Sequence, residues 1–225
     1  MPEELSLYRY THRRWAEELT QLGKIKLGTL HKYQREEKHA PGVGDRDEGH
    51  AWHTEHIPAA TGRTMSPFAR SILGSLGPSA VIVKSDVELH VKTPDCWLYC
   101  LSSAFSKKAM RSIDETYDAC VRIDYYHAFC SVIAGELIRQ ERILDSPEAA
   151  GIAWCVYGER RRPHQQHDTL AFALKAPRYR DQQEVRLVFF PAKRGQIEQD
   201  DLPLPPLRDL TDCCSLVPFE EIPDS

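Results

Sequence analysis

The sequence of 225 residues predicts an α+β fold with a mixed or antiparallel β-sheet and few helices. Two observations favour it: strand-like segments clearly outnumber helical ones, and the two kinds do not alternate as they do around a doubly wound parallel sheet. Hydrophobic residues make up 41% of the chain and charged residues 28%, which allows a packed core and excludes extensive disorder. The length suits one domain over residues 1–225.

The opening of the chain reads as strand, helix, strand. Residues 6–10 are rich in β-forming side chains, and residues 24–30 resume as a second strand. Thr11 is placed to cap the intervening helix, and Gly23 stands where a helix commonly ends in a left-handed glycine. The apolar residues at helical spacing, which predict its buried face, are Trp15, Leu19 and Leu22.

The stretch from residue 34 to residue 77 is polar and interrupted by Pro and Gly, so it is predicted to be a long loop. A structureless segment of this length is unusual in a compact domain, and it is therefore functional, mobile, or broken by a short helix near residues 67–76. Beside a substrate site, such a segment would serve as a lid.

Strand-like segments dominate the rest of the chain. They occupy residues 80–84, 87–92, 97–105 and 119–124, and begin again at Ile152, Thr169 and Glu184. The longest helix is predicted at residues 125–142, with Asp124 as its N-cap. Its apolar stripe consists of Phe129, Ile133 and Leu137, with Cys130, Ala134 and Ile138 beside it. The Pro-rich tail at residues 200–225 is expected to pack in extended form.

Charge, hydropathy and cysteine content exclude several classes of protein. Lys and Arg number 29 against 33 Asp and Glu, so a net charge of −4 gives no argument for non-specific nucleic-acid binding. No apolar run approaches the ~20 residues of a membrane-spanning helix, and the acidic N-terminus lacks the apolar core of a signal peptide. Seven cysteines without a secretion signal predict reduced thiols and a cytoplasmic protein that does not contact membranes.

Several familiar site patterns are absent from the sequence. His50, His53 and His56 recur every third residue, and Cys96 and Cys100 lie close to one another further along the chain. Neither group matches the ligand spacing of a zinc site. They are interpreted as a polar loop and buried thiols, and no metal is predicted. The chain also lacks the GxSxG elbow, the GxxxxGK[ST] loop and the GxGxxG loop.

Clusters of basic residues offer a surface for nucleic acid. Arg178 and Arg180 flank Tyr179, and further clusters lie at residues 107–111 and 160–162. Guanidinium groups bind phosphates in bidentate fashion, and a tyrosine ring can stack on a base. Solvated surface charge is the stronger interpretation of any single cluster, but together they make Arg178 and Arg180 candidate acceptor-binding residues.

The principal hypothesis depends on three polar positions at strand edges. Arg9 lies in the first strand (LYR), Ser102 and Ser103 end a hydrophobic strand (YCLSSAF), and Glu184 opens the last strong strand (DQQEVR). This order resembles the R-S-E class of the ADP-ribosyltransferase superfamily. The segments LYRYT, GKIKLGTLHKYQRE, GDRDEG, CLSSAFS and KAPRYRDQQEVRLVFF are also similar to a bacterial domain family of long-uncharacterised proteins that we regard as ADP-ribosyltransferase-like. Because the strand reads Ser-Ser-Ala where the class has Ser-Thr-Ser, both serines remain candidates.

The resemblance implies a split β-sheet core and transfer of ADP-ribose from NAD, the co-substrate, to a macromolecule. Arg9 would hold the phosphates, and Glu184 would stabilise the positive charge that develops on the sugar. Ser102 would orient that carboxylate, and Gln182, two residues before Glu184, would face the acceptor. The remaining residues implied to bind NAD are Ser103 and, as walls for the nicotinamide, Phe105 and Tyr117.

The acceptor and the biological role follow as expectations. Nucleic acid is slightly favoured over protein as the acceptor because of the arginine clusters. A small chain of this kind fits a toxin or phage-defence effector that an antitoxin protein would neutralise. The alternatives are an NAD glycohydrolase on the same fold and a non-catalytic module that binds nucleic acid or protein. In the last case the arginine clusters carry the function and Glu184 has no part in it. A further alternative is that Arg9, Ser102, Ser103 and Glu184 are ordinary strand residues.

Overall fold

A computed structural model of the chain describes residues 5–35, 42–57, 60–61, 64–74, 81–82, 84–163, 170–193 and 197–224. The strands are β1 (Leu7–Thr11), β2 (Lys26–Thr29), β3 (His50–Ile57), β4 (Ala60–Thr61), β5 (Val81–Ile82), β6 (Ser85–Lys92), β7 (Trp97–Ser102), β8 (Ala119–Ile123), β9 (Ala150–Trp154), β10 (Val156–Tyr157), β11 (Arg161–Pro163), β12 (Leu174–Lys175), β13 (Glu184–Phe189), β14 (Asp201–Pro203) and β15 (Cys214–Val217). The α-helices are α1 (Arg13–Leu22), α2 (Leu30–Tyr33), α3 (Pro67–Leu73), α4 (Lys107–Ile113) and α5 (Tyr126–Arg139). The predicted α+β class with mostly antiparallel pairing is confirmed.

The main sheet has eight strands and is divided at β7. One edge of β7 pairs with β13 along its whole length, from Ser102 opposite Glu184 to Trp97 opposite Phe189. The other edge is shared, because β2 pairs with β7 at Trp97 and Leu98 whereas β1 pairs with it at Ser102. The main sheet therefore opens between β1 and β2, with the middle of β7 at the base of the opening.

The hydrophobic core lies on the face of this sheet that α1 and α5 cover. Alternate residues of β7 and β13 point into it, because successive side chains of a strand face opposite sides. The stripe predicted for α5 is confirmed, since Phe129, Ile133 and Leu137 are fully buried. The remaining alternate residues of β7 and β13 point to the other face of the sheet. They include Cys100, Ser102, Glu184 and Arg186.

The start of the chain agrees with the sequence analysis except at two details. Gly23 ends α1 in the left-handed conformation, with φ of 64°. Thr11 is not the helix cap, because it is the last residue of β1 and pairs with Ala119; His12 precedes the helix without a capping side-chain bond. On α1 the buried residues are Ala16 and Leu19, whereas Trp15 and Leu22 are exposed.

Asp124 is not the cap of α5 either. Tyr125 precedes that helix, and no side chain caps it. The Asp124 carboxylate instead accepts a hydrogen bond of 2.8 Å from Ser6 and pairs with Arg122. It therefore fastens the start of β1 to the end of β8.

The prediction of a long loop at residues 34–77 is wrong for much of its described part. β3 occupies eight of these residues and pairs with β6 from His50 opposite Lys92 to Ile57 opposite Ser85, forming a small sheet with β11. The predicted short helix is confirmed as α3, which Ser66 caps through Ala69. Residues 36–41, 58–59, 62–63 and 75–77 lie outside the described ranges. The polar alternation of β3 suits a strand whose outer face meets solvent.

Two other strand predictions need correction. The segment predicted from Thr169, itself outside the described ranges, forms a 3₁₀ turn at Ala171–Ala173 and a two-residue strand, β12. The segment is apolar because Phe172 and Ala173 are buried against the sheet, and this burial does not require a long strand. In the tail, β14 and β15 are extended and pair with β2 and β8, but a 3₁₀ turn lies between them. Within the described chain, no helix is both long and apolar enough to cross a bilayer.

Candidate active site

A cavity of about 610 Å³ occupies the opening between β1 and β2. Its size is typical of sites that hold small molecules and cofactors. Its floor is the middle of β7, at Tyr99, Cys100 and Leu101. The polar and aromatic residues that line it and enter the chemistry below are Arg9, Tyr33, Tyr117, Lys175, Gln182, Glu184 and Arg186.

Arg9 reaches into the opening from β1. Its Nη1 donates to the Cys100 carbonyl oxygen at 2.7 Å, at a point of β7 that lies between the pairing sites of β1 and β2. The guanidinium lies 5.0 Å from the ring centroid of Tyr99. Among the described residues no carboxylate pairs with Arg9, although a guanidinium has five donors. A partly buried cation without a counter-ion is suited to an anionic ligand.

Glu184 approaches the same cavity from β13, where it opens the strand opposite Ser102. Its carboxylate is buried between two cations: Lys175 donates to one oxygen, and Arg186 Nε donates to the other at 2.6 Å. Burial by itself would raise the pKa of Glu184, but Arg186 and Lys175 outweigh burial and hold the pKa below its usual range. Glu184 is therefore an anion at neutral pH.

The ion pairs extend from Glu184 into a buried network. Arg186 also binds Glu48 at 2.8 Å and donates to the Phe172 carbonyl oxygen. Glu48 lies 4.0 Å from Arg160, which binds Asp45 at 2.5 Å. The members are the cations Arg160, Lys175 and Arg186 and the carboxylates Asp45, Glu48 and Glu184. Charges of both signs balance, which is the condition for burying them.

The 42–49 segment forms one wall of the cavity and is fixed to this network. The Gln182 amide donates to the Gly42 carbonyl oxygen at 2.5 Å, and the Tyr179 hydroxyl donates to that of Gly44 at 2.5 Å. The ion pairs of Asp45 and Glu48 hold the rest of the segment. These polar bonds and ion pairs hold the segment against the rest of the cavity wall.

Gln182 is buried, and both ends of its side chain are bonded within the protein. Its oxygen accepts from Lys175 Nζ at 2.8 Å, while its nitrogen donates to Gly42 and, at 3.0 Å, to Ser112. Gln182 thus lines the cavity, and its side-chain amide is bonded to Lys175, Gly42 and Ser112 in the surrounding wall. Its expected contact with an acceptor stays a prediction.

The two serines fasten β7 to β13. The Ser102 hydroxyl donates to the Gln182 carbonyl oxygen at 2.7 Å, and that of Ser103 donates to the Gln183 carbonyl oxygen at 3.1 Å. The donors to the Glu184 carboxylate are Lys175 and Arg186, so Ser102 acts on Glu184 through the backbone that precedes it. Ser102 and Ser103 are absent from the cavity wall, and their contact with NAD stays a prediction.

The two aromatic candidates lie in different places. Tyr117 lines the cavity and meets the His12 ring edge to face, at 5.3 Å between centroids. Phe105 stacks on Tyr8 at 4.7 Å, in an apolar cluster outside the cavity wall. Tyr33, which the sequence analysis missed, lies close to both Arg9 and Glu184. Burial is the main cause that raises the pKa of its hydroxyl.

The arginine clusters are dispersed. Arg178 lies over the Tyr179 ring at 4.8 Å and lines a second, more open depression of about 580 Å³ with Trp52 and Arg161. Arg180 is exposed, and neither Arg178 nor Arg180 lines the main cavity. Residue 160 of the 160–162 cluster is committed to the buried network. The expected role of Arg178 and Arg180 in acceptor binding stays a prediction.

The histidine series does not form a site. The interpretation of these residues as a loop is wrong, since all three lie on β3. A spacing of three residues on a strand puts His53 on the face opposite His50 and His56. His56 binds Asp86 at 2.6 Å, and His50 contacts His90 at 3.1 Å. In the part of the chain that the structure describes, no three His, Cys, Asp or Glu residues are grouped to hold a metal ion.

Comparison with known proteins leaves the site to be interpreted from its own geometry. No family model, curated protein or solved structure matches this chain.

Proposed function

We propose that the chain is an ADP-ribosyltransferase that uses NAD and modifies a macromolecule, with nucleic acid favoured as the acceptor. One observation carries the proposal: Arg9, a cation with no carboxylate partner among the described residues, and Glu184, a carboxylate held ionised, line one cavity at the opening of the sheet. Between them they supply the two charges that NAD cleavage needs, one for the phosphates and one for the sugar.

The cation fits the pyrophosphate of NAD. Arginine presents a planar, permanently charged donor array that matches phosphate oxygens in bidentate fashion. The bond from Nη1 to Cys100 fixes the guanidinium and leaves other donors of the group for a ligand. Burial alone would lower the pKa of Arg9, but its surroundings, Tyr99 foremost, raise it, so the group stays charged in the cavity.

The carboxylate fits the reacting sugar. In the proposed reaction the bond between ribose C1′ and the nicotinamide nitrogen breaks, and its electron pair leaves with neutral nicotinamide. The sugar passes through an oxocarbenium-like state, which a nearby anion stabilises more than it stabilises bound NAD. The acceptor then bonds to C1′ and releases its proton to solvent. Two bonds to cations leave lone pairs on the Glu184 oxygens for a sugar hydroxyl.

Lys175 has a supporting part in this scheme. Burial would lower its pKa, but Glu184 and Glu48 outweigh burial and raise it, so the amine stays protonated at neutral pH. It therefore does not act as a base. It orients the Glu184 carboxylate and, through Gln182, the wall formed by Gly42.

The test is NAD turnover by Arg9→Lys and a matched control. Protein is incubated with NAD labelled in its adenylate part and with RNA, DNA or protein from a lysate, and both label transfer and released nicotinamide are measured. Because Lys keeps the charge but loses the fork, we expect Arg9→Lys to lower transfer at least tenfold. Arg122→Lys changes an exposed arginine on the adjacent strand β8 and should leave transfer unchanged.

Three outcomes separate the alternatives. Nicotinamide release without label transfer would make the chain an NAD glycohydrolase. Nucleic-acid or protein binding with no NAD turnover would make it a non-catalytic module. Absence of NAD binding, or equal turnover by Arg9→Lys and wild type, would contradict the assignment of the cavity.

We further propose that the activity serves as a toxin or phage-defence effector in the bacterial cytoplasm, restrained by an antitoxin protein. Unrestrained ADP-ribosyl transfer to nucleic acid would arrest growth. Induced expression of the wild type should therefore stop growth, and Arg9→Lys should not. Equal growth in both cultures would count against this role.

A further inference from the structure

Trp15 is exposed at a place where the sequence predicts burial. It belongs to the apolar spacing of α1, yet 51% of the residue is exposed, while Leu19 on the same helix is buried. It also lines the cavity that Arg9 and Glu184 share. A large aromatic ring left in solvent at the edge of a ligand cavity is a feature typical of binding surfaces.

Charged side chains of both signs lie around Trp15. The Arg14 guanidinium lies 5.0 Å from the Trp15 ring centroid, and its ion pair with Glu18 is exposed. Lys24 and His12 are exposed and line the same cavity. Lys24 has no ion-pair partner in the described ranges. The rim thus offers a π surface beside Lys24, a cation with no ion-pair partner in the described part of the chain, and Arg14, whose charge is shared with Glu18.

This combination matches the chemistry of single-stranded nucleic acid. Bases stack on aromatic rings whatever their sequence, and neighbouring Lys and Arg residues meet the phosphates. A protein acceptor would gain less, because a stacked ring surface recognises planar groups. The overall charge of −4 makes the local cations the attractive part of the surface.

We propose that Trp15, with Arg14 and Lys24, is the platform on which a base of a single-stranded nucleic acid stacks, so that the acceptor is presented to the cavity. The proposal rests on the function inferred above, since it names where the acceptor of that reaction binds. It replaces Arg178 and Arg180, which lie outside the main cavity wall, as the principal acceptor contact.

The first test is binding without NAD. Anisotropy of a labelled single-stranded RNA or DNA oligonucleotide is measured with wild type, Trp15→Ala, Trp15→Phe and Trp154→Ala. We expect Trp15→Ala to weaken binding by about 5- to 100-fold and Trp15→Phe to weaken it less, because the smaller ring still stacks. Trp154 is the matched control, 44% exposed on β9 and away from the cavity. Equal binding by Trp15→Ala and wild type, or equal loss in Trp154→Ala, would overturn the proposal.

The second test separates the acceptor base from the adenine of NAD. Label transfer to the oligonucleotide and nicotinamide release in its absence are measured for the same variants. We expect Trp15→Ala to lower label transfer by a much larger factor than it lowers nicotinamide release. An equal loss in both reactions, with a higher KM for NAD in each, would assign Trp15 to the adenine and overturn the proposal. So would loss of transfer in Arg178→Ala with Trp15→Ala unaffected.

Together the two tests distinguish failure of the platform from failure of the proposed enzyme, because oligonucleotide binding is measured without NAD. Oligonucleotide binding that depends on Trp15, with no NAD turnover by the wild type, would support the platform and contradict the transferase. Turnover of NAD with protein as the acceptor, and no oligonucleotide binding, would support a transferase and contradict the platform.

Discussion

Glu184→Gln is the obvious variant to test catalysis, and the structure predicts that it also perturbs stability. Glu184 is 7% exposed and its two cationic partners, Lys175 and Arg186, are 3% and 2% exposed. Removing the charge leaves three buried cations facing two carboxylates. Breaking a buried ion pair on one side costs about 3–5 kcal/mol, because the remaining charge is left uncompensated. Much of a typical stability of about 5–15 kcal/mol would be lost.

A double-mutant cycle with Lys175→Met isolates this effect. The single change Lys175→Met leaves two cations facing three carboxylates and should destabilise for the same reason. The double variant restores balance, with two of each, so its loss should be smaller than the sum of the singles by about 2–3 kcal/mol. Additive losses would refute the ion pair as the source of the cost.

Urea unfolding at pH 7, followed by circular dichroism, measures the cycle. With a slope of about 2–3 kcal/mol per molar urea, a loss of about 4 kcal/mol lowers the midpoint by about 1.3–2 M. Glu17→Gln is the control, because Glu17 forms an exposed pair with Arg13 within α1; its midpoint should move by less than about 0.5 M. Catalytic tests of Glu184→Gln then use conditions in which the variant is folded.

Three further predictions concern pH and backbone. The pKa of Glu184 is lower in the folded than in the unfolded chain, so ionised Glu184 stabilises the fold above about pH 4.3, and this contribution is lost as the pH falls further. Urea midpoints measured at pH 5, 4 and 3 should therefore fall less steeply for Glu184→Gln than for wild type. Parallel slopes would contradict this. Gly23→Ala should lower the free energy of unfolding by about 2 kcal/mol or more, because φ is +64° and the new Cβ would lie 2.0 Å from the Leu207 carbonyl oxygen. An unchanged melting temperature would contradict this. Gly135→Ala within α5 meets no atom within 4 Å and should raise stability by about 0.5–1 kcal/mol, as the same melting curves would record.

The strands that carry the site could be predicted from their hydrophobic alternation, and the resemblance to the R-S-E order singles out Arg9, Ser102 and Glu184 on them. In the structure, β7 lies between the strands of the other two residues. The pairing of Ser102 with Glu184 follows from that topology. The division of the sheet came from the resemblance, since alternation alone does not tell which edge a strand shares.

The partners of these residues could not be predicted, for physical reasons. Lys175 lies in a run that the sequence assigns to one long strand, but the run folds as a 3₁₀ turn followed by the two-residue strand β12. The turn breaks the period-2 pattern, so that pattern cannot predict where the Lys175 side chain points. Tyr33 ends a four-residue helix, too short to show a helical period. Glu48 and Arg186 pair across 138 residues of chain, and single charges carry no mark of a distant partner.

The cost of the buried network bears on whether the cavity is functional. A buried ion pair contributes little net stability compared with apolar residues of similar volume, and removing one partner is expensive. Six charges buried beside a cavity are therefore not explained by stability alone. Their arrangement does keep Glu184 ionised while burying it, and the ion pairs of Asp45 and Glu48 fasten the 42–49 wall. Both effects would serve the proposed sugar transfer, since an anion is most effective where water does not screen it. A Lys175→Met, Glu184→Gln variant that folds well and has lost all NAD turnover would show that the charges serve the cavity.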